Sequence, residues 1–348
     1  MCEGRMKAAV ISSYGDAQDV FNFVANFAQP LIKPDEVLIK MVASSVNAIE
    51  CKARRGYGRR VFSKKRGFEF PLVLGNDVCG VVEKVGSNVK SFRPGDDIFS
   101  APAVSGQGSY GEYRVMKASQ LVDKPKKLSY LEAATIPYVA LTTWSALVDK
   151  AKLNAHNCRG KKVLVHGGSG GIGSFAIQLL KAWGAFVATT CSSAKVDRVR
   201  ELGADLVIDY QKDDFSKQLQ NYDVVFDTVG GDYEAKSMKV LNGSGDSHYV
   251  TVVFPAMTNI DEKGFLKGGL GSVLELLKKK RMYKKRGVTF NWGVFGPNRQ
   301  ALEEVKTLIE QGKIKPVVDK VYPLEKIADA HDYFESGKVI GKLAISIT

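Results

Sequence analysis

The sequence has few residues that commonly bind metals or form disulfides. Its 348 residues include four histidines and five cysteines, and the cysteines form no C-x-x-C pair. Their scatter and odd number argue against a disulfide framework and against a cysteine-rich zinc site. Reduced, buried or half-buried thiols and no bound metal are therefore expected. The residues concerned are Cys2, Cys51, Cys79, Cys158 and Cys191, with His156, His166, His248 and His331 expected at the surface or bonded within the core.

Long hydrophobic runs are also missing. No apolar stretch approaches the ~18 residues of a membrane-spanning helix. The N-terminus passes from Met1 almost directly into a strand-like segment, Lys7–Ile11, with neither a signal peptide nor a transit peptide. The sequence therefore predicts a cytoplasmic protein, or a mitochondrial one if a presequence has been removed. With 45% hydrophobic and 25% charged residues, it has the composition of an ordinary globular protein, long enough for two domains.

Acidic residues are fewer than basic ones, which gives a formal net charge of +13. Much of the excess lies in two runs, residues 54–66 and Lys278–Arg286, with Tyr57, Phe62 and Tyr283 among them. Clustered basic residues with stacking aromatics are what sequence-tolerant nucleic-acid binding requires. A solvated protein face is the simpler interpretation. Binding of nucleic acid or of an anionic membrane surface therefore stays open as an alternative function.

Residues 264–280 carry apolar side chains at helical spacing and lead into the second basic run. An apolar helix with a basic end resembles an interfacial membrane anchor. The alternative is a helix that packs over the substrate cleft or at a subunit interface, and we favour that alternative. The apolar residues are Phe265, Leu266, Leu270, Val273, Leu274 and Leu277.

Two patterns divide the chain. The first ~125 residues are rich in strand signals separated by turns, whereas from Leu131 helices and strands alternate. Such alternation predicts an α/β fold with a doubly wound parallel sheet. We expect a β-rich domain formed by residues 1–125 and 298–348, and a Rossmann dinucleotide-binding domain formed by residues 126–297.

A glycine cluster follows the strand predicted at Val163–His166. Gly168, Gly170 and Gly173 fit G-x-G-x-x-G and are followed by an amphipathic helix. In such a motif, one glycine allows the tight turn and a second lets the backbone approach the pyrophosphate. The third lets the helix pack closely on the strand. The N–H groups at the start of the helix then face the anion. This context on both sides predicts a dinucleotide site.

The second strand of the Rossmann unit lacks the acidic residue that holds the ribose 2′-OH of NAD. It ends in Thr189–Lys195, which offers Ser192, Ser193 and Lys195 instead of a carboxylate. Hydroxyls and a lysine suit a 2′-phosphate, so the sequence favours NADPH as the cofactor. The same serines also serve as candidate N-caps of the next helix.

Six further motifs accompany the glycine turn: Ser45–Glu50, Phe70–Asp77, Gly80–Gly86, Phe92–Asp96, Leu202–Tyr210 and Phe226–Gly231. Together with the turn, they resemble the medium-chain dehydrogenase/reductase superfamily, specifically its zinc-free quinone-oxidoreductase branch. The resemblance covers essentially the whole chain and implies a GroES-like catalytic domain beside the Rossmann domain. Where zinc alcohol dehydrogenases have a cysteine and a Gly-His-Glu, this chain has Asn47 and Gly75–Asp77.

The resemblance also implies site residues. Asn47 corresponds to the asparagine that faces the active-site cleft, with a backbone-capping role as the equal alternative. Tyr57 is a second catalytic candidate, because Lys52 stands where the branch often has a tyrosine. The implied cofactor residues are Thr142, Gly168, Ser169, Gly170, Gly171, Ile172, Gly173, Ser192, Lys195, Tyr210 and Lys342. For Tyr210 a strand-end packing role is an equal alternative.

The activity implied is transfer of hydride from NADPH, without a metal, to a small electrophilic acceptor such as a quinone or an enone. A quinone can take its proton from water, so no dedicated acid is required. A homodimer is usual in this branch, although no feature of the sequence requires one.

Overall fold

The computed structural model describes residues 4–64, 68–103 and 107–347. Its strands are β1 (Arg5–Ile11), β2 (Phe21–Ala28), β3 (Glu36–Val46), β4 (Leu72–Val73), β5 (Val78–Val85), β6 (Asp97–Ser100), β7 (Tyr113–Lys117), β8 (Val122–Asp123), β9 (Lys162–His166), β10 (Phe186–Cys191), β11 (Leu206–Asp209), β12 (Val224–Asp227), β13 (Ser247–Thr251), β14 (Val288–Trp292), β15 (Val318–Pro323) and β16 (Lys342–Ser346). Its helices are α1 (Ala17–Val20), α2 (Ala48–Arg54), α3 (Arg59–Phe62), α4 (Tyr130–Ala133), α5 (Pro137–Trp144), α6 (Gly171–Ala182), α7 (Val196–Arg200), α8 (Phe215–Gln218), α9 (Asp232–Val240), α10 (Ala256–Lys284), α11 (Arg299–Glu310) and α12 (Ile327–Glu335).

Two compact units divide the chain. The first comprises residues 1–141, 296–310 and 316–348, and the second comprises residues 142–295 and 311–315. The first unit thus extends further than the expected bound at 125, and Tyr138 N–H donates to Asp77 Oδ1 within it, at 2.7 Å. Residues 311–315 join the second unit, where Gln178 and Lys315 exchange two hydrogen bonds of 2.8 and 3.0 Å.

The first unit is built around the long strand β3. In its larger sheet the strand order is β15-β16-β3-β5-β6-β8, with β7 also paired to β3, and a smaller sheet has the order β2-β1-β4. β3 pairs antiparallel with both β16 and β5. The register sets Leu343 opposite Val46 and Cys79 opposite Ala43, so the start of β16, the end of β3 and the start of β5 meet at one edge.

The second unit contains a six-stranded parallel sheet in the order β11-β10-β9-β12-β13-β14. This is the order of a dinucleotide-binding Rossmann sheet, and the predicted doubly wound fold is confirmed. Its strands bury apolar residues on both faces, as parallel strands between helices must, with Leu164, Val225 and Tyr249 in one core cluster. The order of the strands reverses between β9 and β12, and ligands of such sheets bind outside the carboxyl ends of the strands at that point.

Helix α10 is longer than the segment 264–280 that the sequence predicts. It runs from Ala256 to Lys284 and is broken at Gly264, whose φ of 80° and ψ of 171° are not helical. Its second part is attached to the sheet through Tyr283, which is fully buried against Tyr249 and Phe290 at ring-centroid distances of 5.3 and 4.8 Å.

Candidate functional site

The glycine turn connects β9 to α6 at the switch point of the parallel sheet. Gly167 has a φ of +73°, which lets the chain turn sharply after His166. A Cβ on Gly168 would lie 2.1 Å from Thr189 Oγ1, and one on Gly173 would lie 2.2 Å from the carbonyl oxygen of Gly167. Neither position has room for a side chain. Gly168 and Gly173 therefore serve the close packing of the turn, β10 and α6.

The start of α6 is open, in contrast to the close packing at Gly168 and Gly173. A Cβ on Gly170 would meet only the Gly167 carbonyl oxygen, at 3.5 Å, so the backbone there faces open space. Gly170 is the residue before the helix, and no described side chain caps it. Ser169, Gly171 and Ile172 are partly accessible beside it. Unpaired N–H groups and the helix dipole attract anions, so this cradle fits the pyrophosphate of a dinucleotide.

The carboxyl ends of β10 and β11 lie side by side, with Cys191 paired to Asp209 in register. Ser192 and Lys195 are partly accessible there, and Tyr210 is half exposed, with its N–H donating to the Cys191 carbonyl at 3.1 Å. The turn after β10 and the turn after β11 thus bring three predicted cofactor residues, Ser192, Lys195 and Tyr210, to one edge of the sheet.

Asp209 is a residue of this edge that sequence reasoning missed. Its carboxylate accepts hydrogen bonds from the Ser193 hydroxyl and from Gln211 N–H, and Lys212 lies 3.6 Å away. The Ser193 hydroxyl hydrogen bond and these other groups lower the pKa of Asp209. The sequence does show an acid in Leu202–Tyr210, but only the sheet reveals that β11 brings it beside the loop after β10.

In the first unit, a buried polar cluster forms where β3, β5 and β16 meet. Asn47, which follows β3, donates from Nδ2 to Asp77 Oδ2 at 2.9 Å and to Glu50 Oε1 at 3.1 Å. Its Oδ1 accepts a hydrogen bond from the Lys342 ammonium. Lys342 also donates to the Val46 carbonyl at 2.7 Å and lies 3.6 Å from Asp77 Oδ2. All four side chains are almost completely buried.

Further donors surround the two carboxylates of this cluster. Glu50 Oε2 accepts the Asn47 backbone N–H at 2.9 Å, as in one half of a helix capping box, and Asn76 donates to Glu50 Oε1 at 2.7 Å. Asp77 accepts hydrogen bonds from the Ser45 hydroxyl and the Tyr138 N–H. Both carboxylates therefore accept hydrogen bonds, as buried charged groups must.

The cluster contains two carboxylates and one ammonium group. Burial raises the pKa of Glu50 to about 7, against the smaller lowering effect of Lys342. Burial also lowers the pKa of Lys342, although Asp77 and Glu50 favour its charged form. One additional proton on Glu50 would make the cluster neutral, and the raised pKa of this carboxyl indicates that it takes up the proton near neutral pH.

Similarity to known proteins covers the whole chain. The model of the alcohol dehydrogenase GroES-like domain matches residues 33–126, and that of the zinc-binding dehydrogenase domain matches residues 202–345. The chain is 40% identical to the mitochondrial NAD(P)H oxidoreductase RTN4IP1 of Danio rerio over 98% of this chain and 91% of that protein.

The chain belongs to the medium-chain dehydrogenase/reductase superfamily.

Other members of the superfamily show the same likeness. The 2-methylene-furan-3-one reductase of Solanum lycopersicum is 36% identical over 98% of this chain and 79% of its own length. The structure of the quinone oxidoreductase from Coxiella burnetii superposes with a TM-score of 0.83 at 27% identity, covering 99% of this chain and 100% of that one. The predicted GroES-like and Rossmann domains are confirmed.

Three segments of the sequence predict a likeness to reticulon-4-interacting protein 1, and the 40% identity to the Danio rerio protein over 98% of this chain confirms that likeness. They are Pro137–Thr142, Gln178–Trp183 and Gly312–Pro316. The RTN4IP1 relatives are named mitochondrial, whereas the compartment of this chain stays a prediction. In the ranges that the structure describes, no helix is both long and apolar enough to cross a membrane.

Three further site candidates of this superfamily member are Thr142, Tyr57 and Lys342. Thr142 is buried in α5, at the start of the second unit. Tyr57 lies beyond the far end of α2 from Asn47, half-buried, with its N–H donating to the Lys52 carbonyl and the Lys52 ammonium 5.8 Å from its ring centroid. Lys342 is placed with Asn47, and the contacts described for its ammonium group are all to protein groups.

Two histidines are bonded within the core, as the sequence predicts, and the described cysteines are buried. His166 is buried, with Ser237 Oγ 2.9 Å from Nε2 and Thr190 Oγ1 3.2 Å from Nδ1, and burial lowers its pKa to about 4. His331 is buried between Tyr110 and Cys51. Cys51, Cys79, Cys158 and Cys191 are free and buried, and Cys2 lies outside the described residues. Among the described residues, no group of three or more His, Cys, Asp or Glu side chains could hold a metal ion.

Three residues of the basic runs are engaged within the protein. Arg54 is fully buried, where it pairs with Glu335 and donates to the Gly15 carbonyl. Tyr283, expected among exposed basic residues, lies in the core, and Phe62 stacks on Phe68 at a centroid distance of 5.0 Å. Binding of nucleic acid by these runs stays a prediction, and Lys65 and Arg66 lie outside the described residues.

Proposed function

We propose that this protein is an NADPH-dependent reductase that transfers hydride, without a metal ion, to a quinone or an enone. The observation that carries the proposal is the uncapped start of α6 at the switch point of the sheet, where Gly170 leaves room for pyrophosphate. NADPH, when bound, supplies the hydride. The protein supplies binding and orientation, which are effective sources of catalysis for a reactive donor and acceptor.

NADPH is favoured over NADH by the edge formed after β10 and β11. Lys195 and the Ser192 hydroxyl can meet a 2′-phosphate, with Tyr210 beside them. Asp209 is an acid at this edge of the sheet, and its negative charge is already engaged by Ser193, Gln211 N–H and Lys212. A carboxylate engaged in this way is a weaker competitor for the ribose hydroxyls, which supports the phosphate-binding alternative.

Independence from metal is supported by the polar cluster around Asn47. Zinc sites need cysteine, histidine or carboxylate ligands with a free position. Here the Lys342 ammonium neutralises part of the charge of Asp77 and Glu50, and the Asn76 amide donates to Glu50. Both the amide nitrogen and the amide oxygen of Asn47 are engaged by protein groups. We therefore propose that Asn47 holds the cluster together and positions its neighbours, rather than contacting the acceptor.

An electrophilic acceptor is supported by the named relatives, which include a 2-methylene-furan-3-one reductase, an NADPH-dependent alkenal/one oxidoreductase and a quinone oxidoreductase. These acceptors have a carbon–carbon double bond or ring that accepts hydride without Lewis-acid activation of an alcohol. The test is oxidation of NADPH and of NADH by the purified protein with a panel of quinones and enones, with and without a metal chelator. We expect turnover with NADPH that the chelator does not reduce.

Two outcomes would contradict parts of this proposal. Tight NADPH binding without turnover of any acceptor would favour the alternative function of a nucleotide-sensing binding protein. Loss of turnover with the chelator, restored by zinc, would show that the reaction depends on a metal. A parallel salt titration of binding to single-stranded oligonucleotides tests the binding-protein alternative, since phosphate contacts make the affinity depend steeply on salt concentration.

A further inference from the structure

The second part of α10 is amphipathic with its apolar face on the outside. Leu266 is 89% exposed, Leu270 62% and Leu274 58%, although each is a large apolar side chain. The side of this helix that faces the protein is formed by Gly268, Ser272 and Tyr283, which are buried, and by Leu276, which packs against the core cluster. Large apolar side chains normally occupy the buried side of such a helix, so the exposure of the other leucines needs a physical reason.

The exposed apolar side chains form one continuous stripe. Their spacing of four, seven, eight and eleven residues from Leu266 places them on the same face over about three turns, ~16 Å of helix. The stripe consists of Leu266, Leu270, Val273, Leu274 and Leu277, each at least half exposed. A contiguous apolar face of this kind marks a surface that meets an apolar environment.

Strong positive charge accompanies the stripe. Residues 264–286 contain eight Lys or Arg residues and one acid, Glu275. Glu275 lies 3.5 Å from Lys279, which also pairs with Glu234 at 2.7 Å. The other cationic residues are exposed, and several continue the direction of the stripe beyond Leu277. They are Lys267, Lys278, Lys280, Arg281, Lys284, Lys285 and Arg286.

From this surface we infer that α10 docks the protein on a phospholipid bilayer that carries anionic headgroups. The leucines enter the boundary between headgroups and acyl chains, and the lysines and arginines meet the phosphates. A second copy of this chain fits less well, because its own residues 264–286 offer a single acid, Glu275, to meet eight cations, whereas anionic headgroups neutralise them. The protein would be peripheral, consistent with the finding that no described helix is long and apolar enough to cross a membrane.

This inference is independent of the proposed reductase activity and is tested without cofactor or acceptor. The full-length protein is mixed with vesicles of phosphatidylcholine alone, or with about one third phosphatidylglycerol, and floated on a density gradient at low and high salt. We expect flotation with the anionic vesicles, little with the neutral ones, and a decrease at high salt, since exposed charges are screened.

Substitutions of the apolar residues and of the basic residues test the two parts of this surface one at a time. The double substitution Leu270→Ser with Leu274→Ser should lower vesicle affinity about tenfold or more, because it removes buried hydrocarbon. Leu31→Ser with Val321→Ser is the matched control, since both residues are about half exposed in the other unit, and it should bind as the original protein does. Lys280→Gln with Arg281→Gln and Lys284→Gln should reduce the preference for anionic vesicles. Circular dichroism and thermal unfolding check that each variant is folded.

Three results would overturn the inference. The first is absence of flotation with anionic vesicles at low salt. The second is flotation that the stripe and control variants change equally. The third is a dimer in solution that becomes monomeric only in the Leu270→Ser, Leu274→Ser variant, with no vesicle binding, which would assign the stripe to a second copy of the chain.

Discussion

The Lys342 ammonium donates a hydrogen bond to the side-chain oxygen of Asn47, 295 residues earlier in the chain. β16 and β3 pair antiparallel and bring the two residues together. Through Asn47, Lys342 is linked to Asp77 and Glu50, so one buried cation serves two buried carboxylates. The stability of the first unit should therefore depend on the protonation of this cluster.

Substitution of Lys342 by Met should leave the two carboxylates without their buried cation. Breaking a buried ion pair in this way costs about 3–5 kcal/mol. The loss should be greatest at pH 8 and smaller at pH 5.5, where Glu50 carries a proton. Urea unfolding of the variant at both pH values measures this loss of stability. The control is Lys338→Met, which removes an exposed lysine and should change the free energy of unfolding by less than about 0.5 kcal/mol. An equal loss at both pH values would show that the cost is one of packing rather than of charge.

Glu50 should make the protein less stable as the pH rises towards neutrality. Burial raises its pKa in the folded state to about 7, above the ordinary value of 4.5. Between these values the unfolded chain loses the proton while the folded chain keeps it, so the free energy of unfolding falls by about 3 kcal/mol and then levels off. Glu50→Gln should lack this fall in urea unfolding from pH 5 to 8.

The control for this pH dependence is Glu83→Gln, which removes an exposed carboxylate and should keep the slope of the original protein. His166 and His331, whose pKa values burial lowers to about 4 and about 3, act in the opposite direction but equally in all three proteins. A slope that persists in Glu50→Gln would assign the titration to another group.

Substitutions of two glycines of the turn should distinguish a role in folding from a role in cofactor binding. Gly168→Ala would place a Cβ 2.1 Å from Thr189 Oγ1 and should destabilise the second unit by about 1–3 kcal/mol through overpacking. Gly170→Ala has no such clash and should change stability by less than about 1 kcal/mol, yet lower NADPH affinity by about tenfold or more, because the methyl group enters the pyrophosphate cradle.

Thermal unfolding and NADPH fluorescence titration of both variants measure these effects. Gly271→Ala, where a Cβ would meet no atom within 4 Å, is the control and should bind NADPH normally. Unchanged NADPH affinity in Gly170→Ala would exclude this cradle as the pyrophosphate site.

Lys195→Ala should change the preference between the two nicotinamide cofactors. Loss of a charged hydrogen bond to the 2′-phosphate costs about 1.5–3 kcal/mol, so NADPH should bind about tenfold or more weakly, and NADH affinity should stay within about twofold. Lys217→Ala removes an exposed lysine elsewhere in the same unit and should affect neither cofactor. An equal loss for both cofactors would indicate a structural role for Lys195 and leave the NADPH preference unexplained.

Local patterns were sufficient to predict the Rossmann sheet and its turn. The glycine spacing after β9, the alternation of strands with helices and the period of α6 all act over short stretches of chain, where geometry restricts the possible structures. The amphipathic helix predicted after the glycine cluster is α6, which begins at Gly171 and ends at Ala182.

Other features depend on residues that are distant in the chain. Asp209 meets Ser193 only because β11 lies beside β10, and Arg54 is buried only because Glu335 and Gly15 supply its partners. Likewise, the period of α10 reveals an apolar stripe but not which side of the helix faces the core. Packing of Tyr283 on Tyr249 and Phe290 decides that side.

By itself, the sequence determined the fold class and the cradle for a dinucleotide, since glycines and apolar periodicity act through the local backbone. Only the tertiary structure decided that Asn47, Glu50, Asp77 and Lys342 form one buried cluster, and that the leucines of α10 face outward. Both depend on which strands and helices become neighbours. Burial then sets the pKa of Glu50 and leaves the apolar stripe at the surface.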